Sequence, residues 1–286
     1  MFGGVRDENR IFAAHYELMI IDVHTHYFPD KLAARAIAKL ESMSGLKAAT
    51  DGTLDGLEAS MCESGIGLSL LLPIAQKPEQ TVVVNDCAIE NDKKPGFRSF
   101  GSVHPDFEGW ESELVRLKKA GIVGIKLHPD FQGVNLDDKS MVAVMAKATE
   151  LGLWITIHGG LDYSYPDINR STPKMLSDIL PELRGAHIIA AHSGGFRYLD
   201  DVEKYLMDKD EVYIDTSFSI GIEGMDTKQL QRIYQSFNPE HVFFGTDSPW
   251  YSQKQAVDDM LRFPIPEELK EQILEKNATG LLLSDD

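Results

Sequence analysis

With 286 residues, 43% hydrophobic and 26% charged, the chain carries enough apolar material for a sizeable core without staples, and disorder is excluded as its default state. A formal net charge of −17 repels nucleic-acid phosphates and anionic membrane surfaces, which argues against both as partners. No stretch approaches the ~18 consecutive apolar residues of a membrane span, and residues 1–18 lack the apolar run of a secretory leader. The two cysteines, Cys62 and Cys87, have no metal-type or redox-type spacing, so the expected compartment is the cytoplasm.

Taken in chain order, residues 1–18 mix charge with short apolar runs and read as an N-terminal extension ahead of a single domain at 19–286. Eight short runs rich in Ile, Val and Leu follow, at 19–23, 66–72, 97–103, 122–127, 153–157, 187–191, 212–216 and 242–245. They have the character of buried parallel strands. Amphipathic helices are predicted at 30–42, 54–63, 79–93, 106–120, 137–151, 173–180, 196–208 and 227–236, with 267–282 closing the chain. Asp137 and Thr172-Pro173 supply helix-start chemistry. No linker or composition shift divides the chain. This alternation predicts an α/β protein, a closed (β/α)8 TIM barrel, with a doubly wound open sheet as the competing architecture.

In such barrels chemistry gathers at the carboxyl ends of the strands. The first predicted strand ends Asp22-Val23-His24-Thr25-His26, the third at His104, the fourth at Lys126-Leu127-His128, the fifth at His158, the sixth at His192, and the eighth runs into Asp247. Residues two apart on a strand share a face and lie roughly 6.6 Å apart, so His24 and His26 can converge. A third imidazole from His158 and the Asp247 carboxylate would complete a metal site with an open position. Any one of these histidines alone is explained by a hydrogen bond to a backbone carbonyl. The set is not, because apolar side chains normally fill a packed barrel. By the same alternation Asp22 should face inward one layer deeper, in a hydrogen-bonding role. His104 is a candidate pocket residue, and His187 and His241 fall at strand starts, on the stability face.

The segments IIDVHTHYFP, KLHP, IHGG, AHSGG, FGTDSPW and the terminal NATGLL together resemble the amidohydrolase superfamily. The branch they resemble most mixes predicted metal-dependent hydrolases with aminocarboxymuconate-semialdehyde decarboxylase and resorcylate decarboxylase. The resemblance implies a metal held by His24, His26, His158 and Asp247, with Asp247 also accepting a proton and His192 contacting the attacked group or a second metal. In binuclear members a strand-four lysine is carboxylated and bridges two metals, but the KLHP context is more similar to the mononuclear branch. Lys126 then binds a substrate carboxylate with His128, unless it pairs with an acid of the barrel. Arg170, Tyr163 and Tyr165 are candidate selectivity groups, and Trp250 is either a pocket wall or core.

The leading expectation is a hydrolase acting on an amide, ester or lactone of a small molecule. Its nucleophile would be metal-bound water, whose pKa falls from about 15.7 toward roughly 7 on Zn2+. Non-hydrolytic decarboxylation of a small aromatic or unsaturated carboxylic acid is the alternative. A scaffold without catalysis is disfavoured because every expected ligand position is filled. Zn2+ is the default cation for three nitrogens and one carboxylate, with Mn2+, Ni2+ and Fe2+ as alternatives. Apart from the small-molecule substrate, the one partner the resemblance makes plausible is a second copy of the chain, in a homodimer.

Overall fold

The computed structural model describes residues 19–283. Eight strands appear in the expected order: β1 (Ile20–Thr25), β2 (Ile66–Leu71), β3 (Phe97–Ser99), β4 (Gly124–Leu127), β5 (Trp154–Ile157), β6 (Ile188–Ala190), β7 (Val212–Asp215) and β8 (Val242–Phe243). All neighbouring pairs are parallel, within a sheet of β1-β2-β3 and a sheet of β4 to β8. Backbone hydrogen bonds join the two sheets at both seams. Between β3 and β4, Gly101 N–H donates to Gly124 O at 2.9 Å and Lys126 N–H to Gly101 O at 2.7 Å. Between β8 and β1, Val23 N–H donates to Phe244 O at 2.9 Å and Asp247 N–H to His24 O at 2.8 Å. The eight strands therefore form a ring, and the TIM-barrel expectation holds.

The helices are α1 (Asp30–Ser44), α2 (Leu54–Ser64), α3 (Thr81–Asn91), α4 (Trp110–Lys119), α5 (Pro129–Gln132), α6 (Lys139–Glu150), α7 (Pro173–Ile179), α8 (Leu199–Tyr205), α9 (Thr227–Ser236), α10 (Gln253–Arg262), α11 (Glu267–Glu271) and α12 (Asn277–Leu282), a π-helical stretch linking the last two. Local chemistry accounts for several starts: the hydroxyls of Thr53, Thr172 and Ser252 each cap a first turn, and Asp226 accepts two backbone N–H groups at α9. Sequence reading missed α10 altogether and began α8 three residues early. Arg197 takes a φ of 63°, a left-handed value that interrupts any helix running through it.

Apolar side chains fill the barrel in two ways. Ile21, Val23, Leu70, Phe100, Ile189 and Phe243, from five strands or their ends, pack together inside. A larger cluster lies between the strands and the helical layer. Burial of this kind, at about 25 cal/mol per Å² of apolar surface, is the main favourable term of folding. Polar groups take over above the inner layer.

Asp22 fills the expected hydrogen-bonding role, but from the other side of the strand. The pairing of β1 with β2 shifts register between Asp22 and Thr25, so the period-two pattern does not carry from Asp22 to His24. The Asp22 carboxylate turns instead toward α10. It accepts from Gln253 Nε2 at 2.8 Å, Thr246 Oγ1 at 2.6 Å and the N–H groups of Thr246 and His24. Burial raises its pKa to about 7 against the pull of those donors. It pins β1 to the segment that carries Asp247.

Gly160, after β5, has a φ of +84°, and a Cβ there would lie 2.3 Å from Phe196 N. Gly185 has a φ of +79° but open space around it. Gly185→Ala should cost about 1–2 kcal/mol for the left-handed backbone alone, and Gly160→Ala distinctly more, as read from denaturant midpoints. Equal losses would show that the approach of the β5 and β6 loops is not tight.

Candidate functional site

The carboxyl ends of the strands open into a cavity of about 440 Å³. His24, His26, Lys126, His128, His158, His192 and Asp247 all line it, together with Tyr163, Tyr165 and Trp250. Arg170 does not. Its guanidinium lies 3.8 Å from Asp130 and its backbone N–H also reaches that carboxylate, so it braces a loop. His104 is likewise absent from the lining: its Nε2 donates to Gln132 O and its Nδ1 accepts from Asp106 N–H. His187 stacks on Trp154 and His241 on Tyr213, away from the cavity. His15 lies outside the described residues.

Hydrogen bonds fix the tautomers of the strand-end imidazoles, because a backbone carbonyl can only accept. His26 Nδ1 donates to Leu72 O at 2.8 Å, leaving a lone pair on Nε2. His24 Nδ1 donates to Asp215 Oδ2 at 2.8 Å, with the same result. These two Nε2 atoms stand 3.4 and 3.2 Å from Asp247 Oδ1, and all three ligand atoms lie within 4.8 Å of one another. Burial lowers the His24 pKa to about 3, with Lys126 adding to the effect, so the ring is neutral. Asp247 is ionised. Burial would raise its pKa, but the facing imidazoles of His26, His24 and His192 bring it to about 2. Two imidazole nitrogens and one carboxylate oxygen, oriented from behind, suit a divalent cation.

His158 is not part of that tight triplet. His192 Nδ1 donates to Ser217 O at 3.2 Å, and His192 Nε2 meets His158 Nδ1 at 3.0 Å. The relay leaves His158 Nε2 as the acceptor end, buried and without a hydrogen-bond partner. Burial, reinforced by the neighbouring His128, holds its pKa well below the usual histidine value. An orphaned buried lone pair in a polar cavity is the signature of a ligand position. In the resting side-chain arrangement it falls nearer to His128 and Asp162, which form a second triplet with it.

Asp162 and Asp215 were not anticipated. Asp215 closes β7, and the habit of looking for acids at strand ends would have found it. Fully buried, its carboxylate accepts from His24 Nδ1, from the N–H groups of His192 and Ser217, and from the Ser217 hydroxyl. Burial opposes ionisation, yet His24 and these donors hold its pKa far below the usual range. Asp162 lies in the loop after β5 and faces His128 Nε2 at 3.4 Å. His128 accepts Phe131 N–H on Nδ1 at the first turn of α5, so its Nε2 carries the proton aimed at Asp162. No local pattern marked that loop acid.

Lys126 is fully buried. Its Nζ sits 3.3 Å from His24 Nε2, and burial lowers its pKa to about 8 while Asp215, Asp247 and Asp162 pull the other way from a distance. Backbone strain is concentrated in the same place: His192 and Asp247 have φ values of 60° and 68°, costly for non-glycine residues and frequent at functional sites.

An amidohydrolase family model matches residues 21–282. The chain belongs to the amidohydrolase family. No curated protein matches the sequence. Among solved structures, this amidohydrolase is similar to an uncharacterised TIM-barrel protein from Bordetella bronchiseptica, with a TM-score of 0.73 at 16% identity over 92% of this chain and 98% of that one. It is also similar to 5-carboxyvanillate decarboxylase from Sphingomonas paucimobilis, with a TM-score of 0.68 at 16% identity, 94% of this chain and 100% of that one. A third is dihydroxybenzoic acid decarboxylase from Polaromonas with bound manganese and the inhibitor 2-nitroresorcinol, with a TM-score of 0.66 at 17% identity, 92% and 96% covered. At these identities the likeness is one of fold.

Asp215 offers a test that leaves every candidate ligand in place. Asp215→Asn should weaken divalent-metal affinity about 10- to 100-fold, measured by chelator competition, with the barrel's circular dichroism unchanged. Undiminished affinity would mean that the orientation of His24 does not depend on this carboxylate.

Proposed function

We propose that this amidohydrolase is a metal-dependent decarboxylase of a small aromatic or unsaturated carboxylic acid, the alternative of the two activities expected from its sequence. Lys126 carries the reading. Its ammonium is fully buried at the cavity wall, its one hydrogen bond among the described residues is to His24, and it makes no ion pair with a carboxylate of those residues. A buried cation without a contacting counter-charge is costly. A substrate carboxylate supplies that charge, whereas a neutral amide, ester or lactone does not. The activities of two structural neighbours, both decarboxylases of aromatic acids, support the same choice over hydrolysis.

His24, His26 and Asp247 would hold the cation, with the free Nε2 of His158 as a further donor. When bound, a divalent cation polarises the substrate's oxygen atoms and offsets the negative charge that builds as the carbon–carbon bond breaks. The manganese of the Polaromonas enzyme favours Mn2+ over the Zn2+ expected from ligand type.

The remaining work falls to this chain's side chains. Lys126 on β4, with His128 just beyond that strand's end, binds the carboxylate. Phe131, Tyr165, Phe196 and Trp250 on the cavity wall hold a flat substrate and exclude water. Departure of CO2 leaves the bonding pair on the substrate carbon, which takes up one proton. That proton comes from solvent: Asp247, ionised at rest, and His192 both line the cavity, take it up and hand it to the carbon.

Metal-loaded protein should release CO2 from members of a panel of aromatic and 2-unsaturated acids. Lys126→Met should lower kcat/KM for them roughly ten- to a hundredfold, the worth of a hydrogen bond to a charged group. Release of amine or alcohol from an amide, ester or lactone panel, with no CO2 from any acid, would sink this reading in favour of hydrolysis.

A further inference from the structure

The cavity has two chemically different ends. Imidazoles, Lys126 and Asp247 make the inner one, while α1 and α3 wall the outer one with Leu32, Ala36, Leu40, Met43, Val83 and Val84. Lys39 is the single charged side chain these two helices add to the lining, and neither adds a carboxylate.

Residues 32, 36, 40 and 43 recur at helical spacing and form a stripe along α1. That stripe does not face the protein core, since Ala33 is the one residue α1 buries fully. Of the seven large apolar side chains that the described residues leave exposed, three (Leu32, Met43 and Val83) line the cavity from α1 and α3. Exposed apolar surface is thus concentrated at the cavity's entrance, where it has a binding role to fill.

Size points the same way. An apolar cavity of about 150 Å³ accommodates benzene, so at about 440 Å³ this one is far larger than a single ring with its carboxylate requires.

We propose that the substrate is an elongated amphiphile: an acid whose carboxylate-bearing, unsaturated end lies among Lys126 and the imidazoles, and whose apolar tail fills the chamber between α1 and α3. The occupant is the substrate's own tail rather than a second protein, because the apolar surface is continuous with the polar end in one cavity. The identity of the reacting end rests on the decarboxylation reading. The chamber's preference for an apolar tail does not.

Calorimetric titration of the metal-loaded protein with trans-2-butenoate, trans-2-octenoate and trans-2-dodecenoate tests it. Affinity should rise about three- to fourfold per methylene until the chamber is full. Ala36→Trp and Val84→Trp, which put bulk into the chamber, should each remove most of that gain. Val82→Trp, on α3 but outside the cavity lining, should leave the series as it is. Equal affinity along the series in the wild type, or a full gain surviving both chamber variants, overturns the proposal. So does a flat series accompanied by a dimer, in sedimentation, that Val83→Asp dissociates, since the face then belongs to a second copy. CO2 release measured over the panel of aromatic and unsaturated acids separates the two readings: a chain-length gain with no CO2 from any acid of that panel keeps the chamber and removes decarboxylation, and CO2 with flat affinities does the reverse.

Discussion

The Asp215 carboxylate is withdrawn from water completely, and donors from three segments meet it: the His24 ring from β1, the His192 N–H after β6, and the N–H and hydroxyl of Ser217 after β7. A charge so deep is tolerable only when its hydrogen-bonding capacity is met. The same contacts that make it tolerable set the His24 tautomer and fix the turn that carries His192. The geometry of the cavity therefore follows from a group that does not line it.

A second buried acid acts from outside the ring in the same manner. Asp22 ties the backbone of His24 to Thr246 and to Gln253 at the head of α10, and so holds the two ends of the barrel seam together. Asp247, one residue beyond Thr246, is thereby kept opposite His24 and His26 despite its strained backbone. Ligand-bearing strands are organised by acids behind them, as second-layer partners of metal sites commonly are.

Much of this was legible in the sequence, for identifiable reasons. The eight strands are near-continuous apolar runs, the pattern of strands buried on both faces. The strand-end histidines stood out because imidazole is out of place in a packed barrel. What failed did so where tertiary structure overrides local pattern. The register shift in β1 reversed the side taken by Asp22. The positive φ of Arg197 shortened α8 in a stretch whose composition reads as helix. Arg170 and Asp162 sit in one loop, and nothing local indicated that the acid and not the arginine turns inward. The buried apolar residues of α10, Ala256, Val257 and Met260, are too few and too close to the long closing helix to separate from it by periodicity alone.

Because α1 commits only Ala33 to the interior, its outward stripe is nearly free of packing duty, and residues there can be exchanged at little thermodynamic cost. The strand ends have no such latitude, hemmed in by buried acids and by close backbone approaches such as that of Gly245 to His24. One face of the barrel mouth can thus drift through evolution while the opposite face stays fixed, a division of labour that lets one reactive centre be offered to many molecular shapes.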